Sequence, residues 1–238
     1  MAEKGAWGFC CPGGPAGLAA SGALPCAKGE IMSEATVSAR KDAASKGRLR
    51  ARDFATLGIF SALLFVWTMV VGMLMTNPLV LMPWAPAVIA LVGGPLYLVM
   101  PAKVHKTGAV LVPALVVGIV WALMGGMFVL AAMVVAGLLG ELAASATKYR
   151  SFPALLLAYV LFCVAYHVGS VSAAWLVSDY FMSFASYPAE IAQVVTAVVC
   201  SPNGYLSLVG CAVAAAVGAL FGRVLLKKHF VAAGIVGR

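Results

Sequence analysis

Charge is what this sequence has least of. Asp, Glu, Lys and Arg make up only 10% of its 238 residues. Between Phe54 and Phe221 there are three acids (Glu141, Asp179, Glu190) and four bases (Lys103, Lys106, Lys148, Arg150). A soluble domain of this length needs a polar surface that such a composition does not supply. Catalytic motifs are missing too. No HExxH appears, and three histidines with eight acids are too few for a zinc protease. There is no GxSxG nucleophile elbow and no Walker GxxxxGK[ST], so the chain is not expected to hydrolyse ATP itself. A proton-coupled carrier usually draws on several buried acids, and only Glu141 is a real candidate here. No enzyme is expected.

What is present is apolar. The chain is 63% hydrophobic, with a mean hydropathy of +1.02. Runs of about 20 apolar residues, enough to cross about 30 Å of hydrocarbon, recur along it. Six spans are predicted: Phe54–Met75, Leu79–Met100, Ala109–Met124, Met127–Thr147, Phe152–Ser178 and Gly204–Leu226. The second contains Pro83, Pro86 and Gly93-Gly94-Pro95 and reads as kinked or partly re-entrant. The third is short, and Gly125-Gly126 turns it into the fourth. The connection Asp179–Asn203 is expected to carry a small helix after Pro188. Gly and Ala in the fourth and sixth spans favour close packing. The expected fold is all-α, a polytopic six-helix membrane bundle.

The bases set the topology. Six Lys or Arg lie between Arg40 and Arg52, two in AKVHK, two in TKYR and four from Arg223 onward, while the other three connections carry none. By the positive-inside rule both termini lie in the cytoplasm and Asp179–Asn203 lies outside. The net charge of +8 therefore marks the membrane surface, and no nucleic-acid partner is expected.

Residues 1–49 read as a disordered cytoplasmic tail, rich at its start in Gly, Ala and Pro and without the apolar core of a signal peptide. Met32 begins MSEATVSARKD, an ordinary cytoplasmic start, so translation from Met32 is an alternative. The membrane domain is then 50–238. Cys10, Cys11 and Cys26 lack the CxxC spacing or partner His of a metal site, and no metal or other cofactor is expected. Cys163, Cys200 and Cys211 read as small packing residues, with no Cys200–Cys211 disulfide.

Few side chains carry chemistry. Glu141, near the cytoplasmic end of the fourth span, is a functional candidate as an intramembrane acid, though a structural hydrogen bond or salt bridge is the stronger reading. His167 in the fifth span suits a bond to a neighbouring helix. Trp175 and Asp179 fall at i and i+4 in AAWLVSDYFMSF, sharing a face if the helix continues. With Tyr180 they form an aromatic-and-carboxylate corner suited to an amine or a hydroxylated ring, and Glu190, Gln193 and Asn203 are candidates for a polar lid. An interfacial aromatic belt is the competing explanation for Trp84, Trp175, Tyr180 and Tyr187. In ATLGIFSALLF, Ala55, Gly58 and Ala62 form a small-residue strip along which another helix can approach closely.

The tracts RARDFATLGIFSALLF, ALVGGPLYLVMPAKVHKTG, TKYRSF, SDYF and above all GALFGRVLLKKHFVAAGIV resemble the Trep_Strep (MptD-like) family, whose members are regarded as substrate-binding S components of energy-coupling factor (ECF) transporters. The resemblance runs from about Arg50 to Val236. It implies a six-helix S component in the cell membrane that captures a vitamin-like or other micronutrient from outside. Such a subunit works with a transmembrane T component and two cytoplasmic ATPases. Ala55, Gly58 and Ala62 become candidates for docking on the T component, and Trp121, Trp175, Asp179 and Tyr180 for the substrate pocket, beside His167 and Glu190. Where the resemblance leads one to expect a polar or aromatic turn between the third and fourth spans, this chain has MGGMF. A stand-alone secondary carrier and a non-transport membrane scaffold are the alternatives.

Overall fold

A segment in hydrocarbon can satisfy its own backbone amides only by coiling into a helix, and this chain does so wherever it is apolar. The computed structural model describes residue 49 and residues 51–76, 79–177, 179–183 and 187–230. Among these the regular structure is entirely helical. Helix α1 is Ala51–Thr76. A 3-10 turn, Leu79–Trp84, leads into α2, Ala85–Lys103. Then come α3, Leu111–Leu123, and α4, Met127–Ala146. Helix α5, Phe152–His167, passes through a π-helical turn, Val168–Ser172, into α6, Ala173–Leu176. The connecting helix α7, Ala189–Val199, precedes α8, Pro202–Leu225. Residues 1–48 and 231–238 lie outside the described residues, and with them Cys10, Cys11, Cys26, the Met32 start and most of the C-terminal tail.

Five of these segments are long and apolar enough to cross a membrane: Ala51–Met75, Leu79–Lys103, Met127–Ala146, Phe152–Leu176 and Pro202–Lys228. Because Leu79–Lys103 is one such segment, the re-entrant reading of the second span is set aside. Its α-helix continues unbroken through Gly93-Gly94-Pro95. The third span departs from the expectation. Helix α3 has 13 residues, about 20 Å at 1.5 Å per residue, and falls short of a full crossing by length.

The glycines of α2 serve packing. A Cβ on Gly94 would lie 2.2 Å from the Gly218 carbonyl oxygen, and one on Gly218 would lie 2.4 Å from that of Ala90. Backbone therefore meets backbone where α2 crosses α8, an approach open only to residues without side chains. Tyr159 Oη donates to the Ala90 carbonyl at 2.6 Å and ties α5 to the same crossing. Cys163 and Cys211 are buried there as free thiols, the Cys211 Sγ 3.6 Å from the Cys163 carbonyl. Rows of apolar side chains, among them Ile59, Val66, Val70, Val213, Val217 and Leu220, stay exposed on the outer faces of α1 and α8. In water such rows would be a liability; in lipid they are at home.

Specific contacts define two ends. Lys106 pairs with Asp53 at 2.6 Å, joining the loop after α2 to the start of α1. The Arg223 guanidinium lies over the Phe152 ring at 4.4 Å, joining the end of α8 to the start of α5. At the opposite end Trp84 Nε1 donates to Asn203 Oδ1 at 2.8 Å and Asn203 Nδ2 donates to the Val80 carbonyl at 3.0 Å. Trp175 Nε1 donates to the Val199 carbonyl at 2.9 Å. The basic residues that flank the helices thus gather at one end, and the aromatic loops at the other.

The α2–α8 crossing generates a prediction. Gly94→Ala or Gly218→Ala forces backbone apart and should destabilise the protein by about 1–3 kcal/mol. Gly72→Ala, where an added Cβ meets nothing within 4 Å, should leave the thermal unfolding midpoint in detergent unchanged. Equal midpoints for all three variants would contradict the packing described.

Candidate functional site

At the basic end, Glu141 is 8% exposed and its carboxylate is fully engaged. Oε1 accepts from the Gly108 amide at 2.6 Å, and Oε2 accepts from the Val110 and Leu111 amides at 3.0 and 3.1 Å. The Tyr149 hydroxyl also donates to Oε1. The acceptor is well matched to its donors, since the first amides of a helix have no intrahelical partner and the helix dipole favours an anion there. Glu141 thereby clasps the start of α3 to the end of α4. Lys148 and Tyr149 adopt the left-handed backbone region, with φ of 52° and 57°, which costs about 1–3 kcal/mol per residue outside glycine. This tight reversal brings Tyr149 back to the carboxylate. Burial, with the Glu141 carboxylate beside it, pushes the Tyr149 phenol above its usual range, so it remains a donor.

The opposite end is open. A cavity of about 410 Å³ lies among the end of α1, the start of α2, the end of α3, the start of α4, the π-helical turn after α5 and the loop that follows α6. Five aromatic side chains line it (Trp121, Tyr166, Tyr180, Phe181, Tyr187), as do Met69, Met73, Met82 and Met124. The rings brace one another: Trp121 lies 5.8 Å from Tyr166, Tyr180 lies 5.1 Å from Phe181, and Phe181 lies 6.0 Å from Tyr187. Phe128 meets Tyr180 edge-on at 5.3 Å. Among the described residues the wall contains no Asp, Glu, Lys, Arg or His. Three of its hydroxyls are turned to the backbone: Thr68 Oγ1 donates to Leu64, Ser170 Oγ to Tyr166 and Tyr180 Oη to Gly169, at 2.8, 2.6 and 2.7 Å. Burial pushes the Tyr180 phenol up to about 12, so it too stays neutral. A π-helical turn widens the helix where Ser170 and Val171 reach the cavity, a distortion that often accompanies binding sites.

The structure brings two of the six expected pocket residues, Trp121 and Tyr180, to this cavity. The other four lie elsewhere. Helix α6 ends at Leu176, so the i, i+4 relation of Trp175 and Asp179 does not form. Asp179 sits exposed in the turn that follows. Trp175 stacks on Tyr205 at 4.4 Å, away from the cavity. His167 is fully buried; its Nδ1 lies 3.0 Å from Ser172 Oγ and its Nε2 2.9 Å from Ser207 Oγ, both ring nitrogens joining it to hydroxyls. Glu190 is exposed on the first turn of α7. On α1, Ala55 and Ala62 are exposed and Gly58 is half-buried. A Cβ on Gly58 would meet nothing within 4 Å, so no helix among the described residues occupies that strip.

A family model for a hypothetical bacterial integral membrane protein, Trep_Strep, matches residues 51–231. The chain belongs to the Trep_Strep family. No curated protein and no solved structure matches it. The Trep_Strep match starts with the first residue of α1 and takes in both the clasp and the cavity, and the chain is accordingly a membrane protein.

Sequence reasoning missed Tyr149 as the partner of Glu141, and Met69, Met73, Tyr166 and Phe181 as cavity wall. A signal existed for the methionines, which stand at i, i+4 near the end of the first span and so share a face. Replacing Glu141 with Ala leaves three amides and the Tyr149 hydroxyl without an acceptor and should cost about 2–4 kcal/mol. Glu141→Gln, which keeps one carbonyl oxygen, should cost less. Thermal unfolding in detergent checks both, and a Glu141→Ala midpoint equal to wild type would refute the clasp.

Proposed function

We propose that the chain is the substrate-capturing S component of an ECF-type importer in the cell membrane. It takes up a vitamin-like or other small nutrient from outside and delivers it by docking on a T component driven by two ATPase subunits. In this reading α3 completes a sixth crossing, since its two ends belong to opposite ends of the bundle. The basic end faces the cytoplasm with both termini, as the distribution of Lys and Arg favours, and the cavity opens outward.

One observation carries the reading. The one carboxylate and the one imidazole buried among the described residues, Glu141 and His167, are committed to internal hydrogen bonds, while the cavity wall is uncharged. Among the described residues the cavity thus has no carboxylate or imidazole to couple transport to a proton, which favours an energising partner over a stand-alone carrier. The unoccupied small-residue strip on α1 suits the docking helix of such a partner. An apolar mid-section also lets the bundle tilt without drawing ions through hydrocarbon.

Gly58→Leu should abolish co-purification of a co-expressed T component and its ATPases with the tagged chain while leaving the unfolding midpoint unchanged. Retention of the T component by the variant, or its absence from the wild-type preparation, would overturn the proposal.

A further inference from the structure

The chemistry of the cavity constrains what it holds. With no charged side chain in the wall, a carboxylate, phosphate or ammonium would leave water with nothing to replace its hydration, and burying an unpaired charge is severely unfavourable. The residues outside the description that fall between Thr68 and Tyr187 in sequence (Asn77, Pro78, Ser178, Phe184, Ala185, Ser186) are uncharged. The nearest carboxylate in sequence, Asp179, is exposed and is not part of the wall. Rings and thioethers dominate, surfaces that suit a flat apolar body.

Two polar features narrow the class. Trp121 belongs to the wall, and its Nε1–H is buried without a hydrogen-bond partner among the described residues. A buried donor without an acceptor is costly, and an acceptor on a bound molecule would satisfy it. Thr68 and Ser170 spend their protons on helix carbonyls, so toward the cavity their oxygens can only accept. Besides the Tyr166 and Tyr187 hydroxyls, the wall therefore offers the Trp121 donor and the Thr68 and Ser170 acceptors on an otherwise apolar, aromatic surface. Five rings invite comparison with a cage for an organic cation, but such cages gain from a nearby carboxylate, and here the unsatisfied group is a donor.

We infer that this cavity binds a neutral, planar, ring-containing compound whose hydrogen-bond acceptor meets Trp121 Nε1, with an N–H or O–H directed at the Thr68 or Ser170 hydroxyl. The inference deepens the S-component reading and rests on it for the direction of transport alone; the binding chemistry follows from the wall. Gly72 provides an independent handle. It lines the cavity, and a side chain added there meets no atom within 4 Å at its Cβ, so bulk enters without a clash at the backbone.

Three bicyclic probes of one shape test the inference by calorimetric titration of the full chain in nanodiscs: carbostyril, a neutral lactam; quinaldate, an anion; and N-methylquinolinium, a cation. Carbostyril should bind at least about tenfold tighter than either ion. Trp121→Phe, which keeps an aromatic ring and removes the donor, should weaken it about tenfold, the worth of one hydrogen bond. Gly72→Phe should abolish binding with an unchanged unfolding midpoint, and Asp179→Asn should change affinity less than twofold. Tightest binding by the cation or the anion, an unaffected Trp121→Phe variant, dependence on Asp179, or no binding of carbostyril would each overturn the inference. Loss of T-component capture with the probe selectivity intact would instead count against the S-component reading alone.

Discussion

The arrangement depends on one carboxylate. Helix α3 is too short to anchor itself at both faces of a membrane, and its first amides would be orphaned in a place where water is scarce. Glu141 accepts from three amides at that end and from the Tyr149 hydroxyl. An ionisable group close to hydrocarbon is ordinarily a burden; here the burden is offset by four donors converging on it. Holding the start of α3 against α4 and the TKYR reversal fixes where the other end of α3 lies. That end carries Trp121 and Met124, both in the cavity wall. The clasp at one end thus positions the binding surface at the other.

A second constraint acts at the α2–α8 crossing, where Gly94 and Gly218 put backbone against backbone. The crossing joins α2 and α8 between the ends of the bundle, while the clasp secures the basic end. The aromatic end is built from loops, a 3-10 turn and a π-helical turn, whose geometry tolerates a hollow. Amide-to-carboxylate bonds hold one end, while rings packed at 5–6 Å line the other.

Much of this was legible in the sequence because hydropathy and charge are local signals. Of the six spans expected from runs of apolar residues, five are helices long and apolar enough to cross a membrane, and the small helix expected after Pro188 is there, burying Ala192, Val195 and Val199. Non-local partners were not legible. Nothing near Glu141 in the chain announces that its donors begin 33 residues earlier at Gly108. The carboxylate at Asp179 misled because helical spacing was extended past Leu176, where the helix stops. His167 drew attention while its neighbour Tyr166 went unremarked as cavity wall, because one step along a helix turns a side chain by about 100°. The strip Ala55, Gly58, Ala62 was readable as small, but only the fold tells that no helix among the described residues covers it.

The proposed import requires the aromatic, cavity-bearing end to face outward and the basic, clasped end to face the cytoplasm. Native cysteines report on it directly. Cys200 is exposed beside the cavity-end helix α7, whereas Cys10, Cys11 and Cys26 belong to the N-terminal tail. In intact cells a membrane-impermeant maleimide should label the chain, and Cys200→Ser should remove that labelling, with the tail cysteines reacting only after lysis. Labelling of intact cells that persists in Cys200→Ser, with Cys200 protected until lysis, would contradict the orientation and the import mechanism built on it.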